Sequence, residues 1–300
     1  MIISVSRRTD IPAFYSDWFF NRIREGYVLV RNPFAAGQVS RISLKREKVD
    51  CFVFWTKNPE KMLPDLDLIK DYPFYFQFTL NPYGMEFERN VPDKTRVSDT
   101  FLRLSDKLGP KRVIWRYDPV IINDAFSVER HEECFGKLAD KLCAYTSKCI
   151  ISFVDYYKKI DKAFKTNAIQ ELQEEKIKEA AKKISVIGNT YGLKLETCAE
   201  KTDLWEYGIG HACCIDPELI TEITGTPVRY KKDANQRKEC GCAASVDIGA
   251  YNTCIHGCLY CYATYSKASV DRNRAGYDPD SPLLCSSLKI TDKITDRRTL

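Results

Sequence analysis

Histidine is scarce in this sequence, and the scarcity limits the chemistry the protein can perform. The chain of 300 residues contains three histidines, His131, His211 and His256. A zinc site built mainly from imidazoles, or a Ser-His-Asp triad, is therefore poorly supplied. The sequence also lacks a glycine-rich loop that could hold phosphates. These absences argue against the commonest hydrolase and nucleotide-transfer chemistries.

Long apolar runs are also missing. No run approaches the ~20 residues that a membrane-spanning helix requires. The start of the chain, MIISVSRRTD, is unlike a secretory signal, because its apolar part is short and the charges follow it. We therefore expect a cytoplasmic protein with no membrane partner. The formal net charge of +5 permits an anionic partner without requiring nucleic acid.

Cysteine, by contrast, is abundant, with thirteen residues. In a reducing compartment, so many thiols favour metal binding over disulfides. Cys254, Cys258 and Cys261 form a C-x3-C-x2-C triplet, and Gly257 lets the backbone turn between the first two. Such spacing is typical of iron–sulfur ligation. Three ligands on a four-iron cubane leave one iron open to a small molecule. A zinc knot or buried free thiols are the alternatives.

The triplet, with Tyr260 directly before its last cysteine, resembles the cluster motif of the radical S-adenosylmethionine (radical SAM) family. The Tyr-Cys-Tyr ending at 260–262 is especially similar to the spore photoproduct lyase branch. The resemblance implies that Cys254, Cys258 and Cys261 hold a 4Fe-4S cluster whose open iron binds SAM, and that Tyr260 lies beside the adenine. It also implies that reductive cleavage of SAM gives a 5'-deoxyadenosyl radical that abstracts a hydrogen atom.

Nearly the whole chain also resembles an uncharacterised bacterial family, domain of unknown function 1848, whose C-terminal cysteines are similar to the radical SAM motif. That resemblance names no substrate. We expect a reductant such as a flavodoxin or ferredoxin as a partner, and a small molecule or nucleic acid as the substrate. The triplet lies near the end of this chain. In radical SAM proteins, by contrast, the motif follows the first strand of the catalytic domain, so the position of the triplet departs from the family pattern.

The alternation of short apolar runs with helical stretches predicts an α/β fold with a parallel sheet. Seven or eight strands fit a TIM-like barrel, complete or partial. We predict a barrel body over residues 1–235, and a cysteine-rich, cluster-binding segment over 236–300 that completes the same domain. The chain would then be a permuted radical SAM barrel whose last strand carries the triplet. The predicted strands cover residues 2–6, 50–55, 74–80, 112–117, 149–154, 193–197, 211–215 and 244–248.

Polar residues lie at the C-terminal ends of several of these strands, where barrel enzymes place their chemistry. Polar side chains inside an apolar barrel are costly unless they are paired, so a cluster of them implies a polar ligand. An arginine or lysine could hold the SAM carboxylate, and a carboxylate could bind the ribose hydroxyls. For each residue alone, a helix cap or a surface ion pair is the alternative. The expected catalytic residues are Arg7, Arg8, Asp10, Arg116, Asp118 and Glu196, and the expected cofactor-binding residues are Tyr260, Lys57, Asn58, Gln77, Asp155 and Glu200.

Four further cysteines, Cys198, Cys214, Cys240 and Cys242, could hold an auxiliary 4Fe-4S cluster. Cys213 could replace Cys214. A structural zinc ion and unrelated thiols are the alternatives.

His256 lies inside the triplet and could tune the cluster through a hydrogen bond. We favour instead an ordinary histidine on a solvent-facing loop.

Three functions compete at this point. The first is a radical SAM enzyme. The second is an iron–sulfur protein in which the cluster carries electrons or acts as a Lewis acid. The third is a structural or binding module with zinc at the cysteines.

Overall fold

The computed structural model describes residues 1–155, 164, 169, 172–227 and 230–297. In chain order the strands are β1 (Ile2–Val5), β2 (Tyr27–Arg31), β3 (Gln38–Ser43), β4 (Cys51–Thr56), β5 (Phe74–Thr79), β6 (Val113–Val120), β7 (Lys148–Phe153), β8 (Lys194–Thr197), β9 (Gly210–His211), β10 (Val246–Asp247) and β11 (Lys293–Asp296). Within the described ranges, eight of these strands form one parallel sheet in the order β10-β1-β4-β5-β6-β7-β8-β9. Each of the eight predicted strands overlaps a strand of this sheet, so the predicted α/β class with a parallel sheet is confirmed.

Helices lie between the strands of this sheet, as parallel connections require. The first two helical pieces of the chain, Ile11–Phe14 and Ser16–Glu25, are separated by Tyr15. Gly26 itself adopts a left-handed conformation, with φ of 74°, at the end of the second piece. The α-helices span Ile11–Phe14, Ser16–Glu25, Lys94–Leu108, Val128–Leu142, Glu174–Thr190, Pro217–Thr224 and Lys267–Ala275.

Both faces of the parallel sheet are buried, which explains why its strands are almost continuously apolar. Successive residues of a strand point to opposite faces. On β4, Phe52 and Phe54 therefore join the large core cluster, whereas Val53 joins a second cluster on the other side. Phe54 stacks on Phe76 of β5 with ring centroids 4.7 Å apart. These aromatic contacts fix neighbouring strands in register.

The second cluster is completed by residues from the C-terminal part of the chain. Ala212, Ile215 and Ala243 pack there with Val53 and Ile114. This face of the sheet is thus covered by chain that follows β9. Contacts of this kind bind the predicted C-terminal segment to the predicted barrel body.

Strand β10 lies beside β1, with Val246 opposite Ile3 and Asp247 opposite Ser4. The pairing is parallel and joins residues that are more than 240 positions apart. The chain that follows β10 carries the cysteine triplet. The triplet is therefore brought to the C-terminal end of the first strand.

A second, three-stranded sheet has the order β11-β3-β2. The sequence analysis predicted none of its strands. Strand β11 joins this sheet by pairing in parallel with β3. Residues 298–300 lie outside the described ranges. Among the described residues, no helix has the length and apolar character needed to cross a membrane.

Candidate functional site

A cavity of about 550 Å³ opens at the C-terminal ends of several parallel strands. It is bounded by the loops that follow β1 and β4, by the ends of β6 and β7, and by the triplet loop. Side chains of both signs and several aromatic rings contribute to its wall. Its lining also includes seven cysteines, namely Cys198, Cys214, Cys240, Cys242, Cys254, Cys258 and Cys261. The structure thus brings both predicted cysteine sets to one cavity.

The triplet loop is held in place by the segment around Asn90. The side-chain amide of Asn90 donates to the carbonyl of Ile255 at 2.7 Å, and its backbone N–H donates to the carbonyl of His256 at 2.9 Å. Glu88 forms an isolated antiparallel bridge with Cys258. Gly257 has φ of 68°, so the turn uses the left-handed conformation that glycine tolerates best. The expected role of Gly257 in turning the backbone is confirmed.

Burial and mutual repulsion oppose the ionisation of Cys254 and Cys258, two of the three triplet thiols. Burial, followed by the charge of Cys261, raises the pKa of Cys254 to about 12. Burial also raises the pKa of Cys258 well above the usual range, and the charges of Cys261 and Cys254 add to the rise. A positively charged metal core would relieve this mutual repulsion and hold the sulfurs as thiolates. Three soft donors facing a cavity therefore fit an iron–sulfur core.

A single ion fits the site less well. A tetrahedral zinc ion needs its thiolate ligands about 2.3 Å from one point. Over the part of the chain that the structure describes, no three His, Cys, Asp or Glu side chains converge in this way. An iron–sulfur core several atoms across accepts ligands that lie farther apart.

Tyr260 is anchored by a buried polar network. Its hydroxyl donates to the carboxylate of Glu88 and lies 2.9 Å from Nζ of Lys57. Asn81 reaches the same hydroxyl at 3.2 Å, and Lys94 also forms an ion pair with Glu88. Burial opposes the ionisation of Glu88, but the charges of Lys57 and Lys94 outweigh it and hold the pKa at about 2. The network fixes the Tyr260 ring at the cavity wall.

His256 is buried, with 3% of its surface exposed, so the expectation of a solvent-facing histidine was wrong. Its Nε2 lies 2.8 Å from a carboxylate oxygen of Asp10. The same oxygen accepts a hydrogen bond from the backbone N–H of Lys57 at 2.7 Å. The ring of Phe14 packs edge-on against the imidazole at 4.5 Å. Asp10 thereby connects the triplet loop to the ends of β1 and β4.

Two arginines lie over Trp55 on the cavity wall. The guanidinium carbons of Arg7 and Arg116 are 5.0 Å and 5.1 Å from its ring centroid. Arg116 forms an ion pair with Asp118 and donates to the sulfur of Cys214 at 2.9 Å. Burial opposes the ionisation of Asp118, but the charge of Arg116 outweighs it and lowers the pKa. Nη2 of Arg7 is buried and has no hydrogen-bond partner within the described ranges.

Most of the predicted site residues line this cavity. Arg8 contacts the ring of Tyr251 at 5.2 Å, and Asp155 pairs with Arg237 at 2.5 Å. The predicted residues in the lining are Arg7, Arg8, Asp10, Lys57, Arg116, Asp118, Asp155 and Tyr260.

Four predicted residues lie away from the lining. Gln77 donates to the carbonyl of Cys214 at 2.8 Å and so supports the wall from behind. Glu196, on β8, forms ion pairs with Lys148 and Lys194 at 3.0 Å and 2.6 Å, and these pairs hold its carboxylate away from the cavity. Asn58 is buried, and Glu200 accepts a hydrogen bond from the N–H of Lys201. Their expected roles in catalysis or cofactor binding stay predictions.

The sequence analysis missed Glu88 and Asp247. Asp247 accepts hydrogen bonds from the hydroxyls of Ser4 and Ser6 at 3.0 Å and 2.5 Å, and from the N–H of Arg7 at 2.8 Å. A carboxylate within an apolar strand was a signal that could have identified Asp247. Glu88 lies in a loop and forms ion pairs with Lys57, which is 31 positions earlier, and with Lys94 at the start of the helix Lys94–Leu108, so no local pattern marks it.

Comparison with curated proteins finds no match. Residues 2–263 match the family described as "Domain of unknown function (DUF1848)". The matched range contains both cysteine sets and nearly all of the parallel sheet. Because the match covers most of the sequence, the chain belongs to the DUF1848 family.

Proposed function

We propose that this protein is a radical SAM-type enzyme in which Cys254, Cys258 and Cys261 hold a 4Fe-4S cluster with one open iron. The observation that carries the proposal is that the three cysteines line the same cavity as Arg7, Arg116 and other polar groups at the strand ends. A cluster at this loop would face a space large enough for a cofactor and part of a substrate. The substrate itself stays unnamed.

When bound, the cluster would supply the electron that cleaves SAM and starts radical chemistry. The chain's own residues would bind and orient the reactants. The buried, unpartnered Nη2 of Arg7 is suited to a carboxylate, because an unpaired guanidinium nitrogen in a buried site is costly. Asp118 is held ionised by Arg116 and could accept hydroxyl hydrogen bonds. Tyr260, fixed through Glu88, presents an aromatic ring at the wall.

We extend the proposal to the fold as a permuted TIM-like barrel. Support comes from β10, which directly precedes the triplet and pairs in parallel with β1. Under this proposal β10 takes the role of the cluster-bearing first strand. We also propose a reducing, cytoplasmic setting and a one-electron donor such as a flavodoxin or ferredoxin, because free thiols at a cluster site must stay reduced.

The test is anaerobic reconstitution with iron and sulfide, followed by reduction in the presence of SAM. We expect 5'-deoxyadenosine to form with the wild type and not with Cys258→Ala. Cys134→Ala is the matched control, since Cys134 lies on the helix Val128–Leu142 and is not in the cavity lining.

Three outcomes contradict the proposal. Zinc without iron would indicate a structural module. Iron without any SAM-derived fragment would indicate an iron–sulfur protein without radical chemistry. Equal product from Cys258→Ala and the wild type would place the reaction elsewhere.

A further inference from the structure

We propose that Cys198, Cys214, Cys240 and Cys242 bind a second iron–sulfur cluster in the wall of the same cavity. This inference goes beyond the proposed function, because it requires neither SAM nor the triplet. It makes the cavity a site with two metal centres.

The fold brings these cysteines together from three separate segments. Cys198 directly follows β8, and Cys214 follows β9. The segment with Cys240 and Cys242 is hydrogen-bonded alongside, because the N–H of Ala243 donates to the carbonyl of Ile215 at 3.0 Å. These segments are far apart in the sequence, so the tertiary fold, and not local structure, brings the four cysteines together.

The thiols lie close together. The sulfurs of Cys198 and Cys214 are 3.4 Å apart, which is too far for a disulfide and close enough for a hydrogen bond. The sulfur of Cys242 accepts a hydrogen bond from the backbone N–H of Ile215, the residue that directly follows Cys214, and Cys240 is two residues from Cys242. Cys214, Cys240 and Cys242 are buried, and all four are free thiols. The set has the four donors that cysteine-ligated clusters use.

The surroundings compensate negative charge at this position. Arg116 donates to the sulfur of Cys214 at 2.9 Å, and the guanidinium groups of Arg7 and Arg116 both lie over the ring of Trp55. Four thiolates leave net negative charge on an iron–sulfur core, and buried charge is costly unless it is compensated. Arg116 also forms an ion pair with Asp118, so the guanidinium serves that carboxylate as well as the sulfur of Cys214.

The backbone around Cys214 is rigidly held. Its carbonyl accepts hydrogen bonds from the hydroxyl of Tyr75 at 2.7 Å and from Gln77 at 2.8 Å. The N–H of Ile215 donates to the sulfur of Cys242 at 3.4 Å. Backbone donors to cysteine sulfur and fixed ligand positions are the surroundings that tune metal clusters.

The test compares iron and acid-labile sulfide in three full-length proteins reconstituted without oxygen. One is the wild type. The second lacks the triplet (Cys254→Ala, Cys258→Ala and Cys261→Ala), and the third lacks two ligands of the second set (Cys240→Ala and Cys242→Ala). Cys134→Ala with Cys143→Ala serves as the control. We expect each of the two site variants to hold about half of the wild-type iron, and the control to hold all of it.

The failures of the two proposals are distinguishable. If the triplet variant binds no iron, or binds zinc, the second cluster is ruled out while the triplet proposal stands. If the variant of the second set binds no iron but the triplet variant does, the proposed function fails and the second cluster stands. Alkylation of the holo wild type, read by mass spectrometry, covers the case of a variant that does not fold. Cys198, Cys214, Cys240 and Cys242 should be protected until a chelator removes the iron, and equal labelling before and after chelation would overturn the proposal.

Discussion

The imidazole Nε2 of His256 lies 2.8 Å from the carboxylate of Asp10, a residue 246 positions earlier in the chain. One partner belongs to the triplet loop, and the other follows the first strand. The contact is buried on both sides. The position of the triplet at the cavity is therefore set by a specific polar contact as well as by chain connectivity.

Replacing Asp10 by alanine should destabilise the protein and loosen the triplet loop. The change leaves the backbone N–H of Lys57 and the imidazole of His256 without their partner, at a cost of about 1–3 kcal/mol for each buried group left unsatisfied. The free energy of unfolding in urea measures the loss. Asp106→Ala is the control, since Asp106 is exposed on the helix Lys94–Leu108 and its loss should cost within about 0.5 kcal/mol. Equal effects of the two substitutions would refute the role of Asp10.

Glu88→Gln should cost about 3–5 kcal/mol at neutral pH, because Lys57, whose side chain is 14% exposed, would lose the carboxylate that lies 2.7 Å from its Nζ. The pKa of Glu88 is lowered from 4.5 to about 2. A depressed carboxyl pKa contributes stability that is present above the unfolded value and is lost as pH falls through the folded value. The difference between wild type and variant should therefore shrink as pH falls from 4.5 towards 2. Unfolding free energies over this range provide the check, and a constant difference would contradict the assignment.

The pair of Arg116 and Asp118 should show strong energetic coupling. Arg116 is buried, and Asp118 depends on it for its counter-charge. A double-mutant cycle with Arg116→Met and Asp118→Asn should give a coupling energy of about 1–3 kcal/mol. The exposed pair Lys267 and Asp271, 2.7 Å apart on one helix, is the control and should give about 0.3–0.5 kcal/mol. A coupling no larger than that of the control would show that the buried pair is dispensable.

Asp292→Asn should release β11 from the small sheet without affecting the parallel sheet. The carboxylate of Asp292 binds both terminal nitrogens of Arg31 at 2.7 Å, which is the geometry of a strong bidentate pair. Hydrogen exchange should accelerate in Lys293–Asp296 and in Gln38–Ser43, and stay unchanged in β5 and β6. Asp296→Asn, on the exposed strand itself, is the comparison. Unchanged exchange in β11 would mean that backbone pairing alone holds the tail.

The parallel strands could be predicted because they are apolar on both faces and are separated by clear breaks. Strand β11 could not be predicted, because all four of its residues are exposed and its pairing partner lies more than 250 positions earlier. The hairpin of β2 and β3 was missed for a related reason, since Val39 and Ile42 are the two buried residues of β3 in an otherwise polar sequence.

The site was predictable in its parts and not in its arrangement. Spacing alone marked the triplet, and position at the C-terminal end of a predicted strand marked Arg116 and Asp118. Glu196 follows the same rule, yet Lys148 and Lys194 hold it away from the cavity. The burial of His256 depends on Asp10 and on the pairing of β10 with β1. These contacts join distant parts of the chain, so no local pattern reports them.

The most direct test of the central claim is electron–nuclear double resonance on the reduced, anaerobically reconstituted protein with SAM labelled in its amino and carboxylate groups. The account predicts coupling between the labelled atoms and the cluster. The coupling should be kept in Cys134→Ala and lost in Cys258→Ala. Iron at the triplet without any such coupling, or no iron at the triplet at all, would contradict the account.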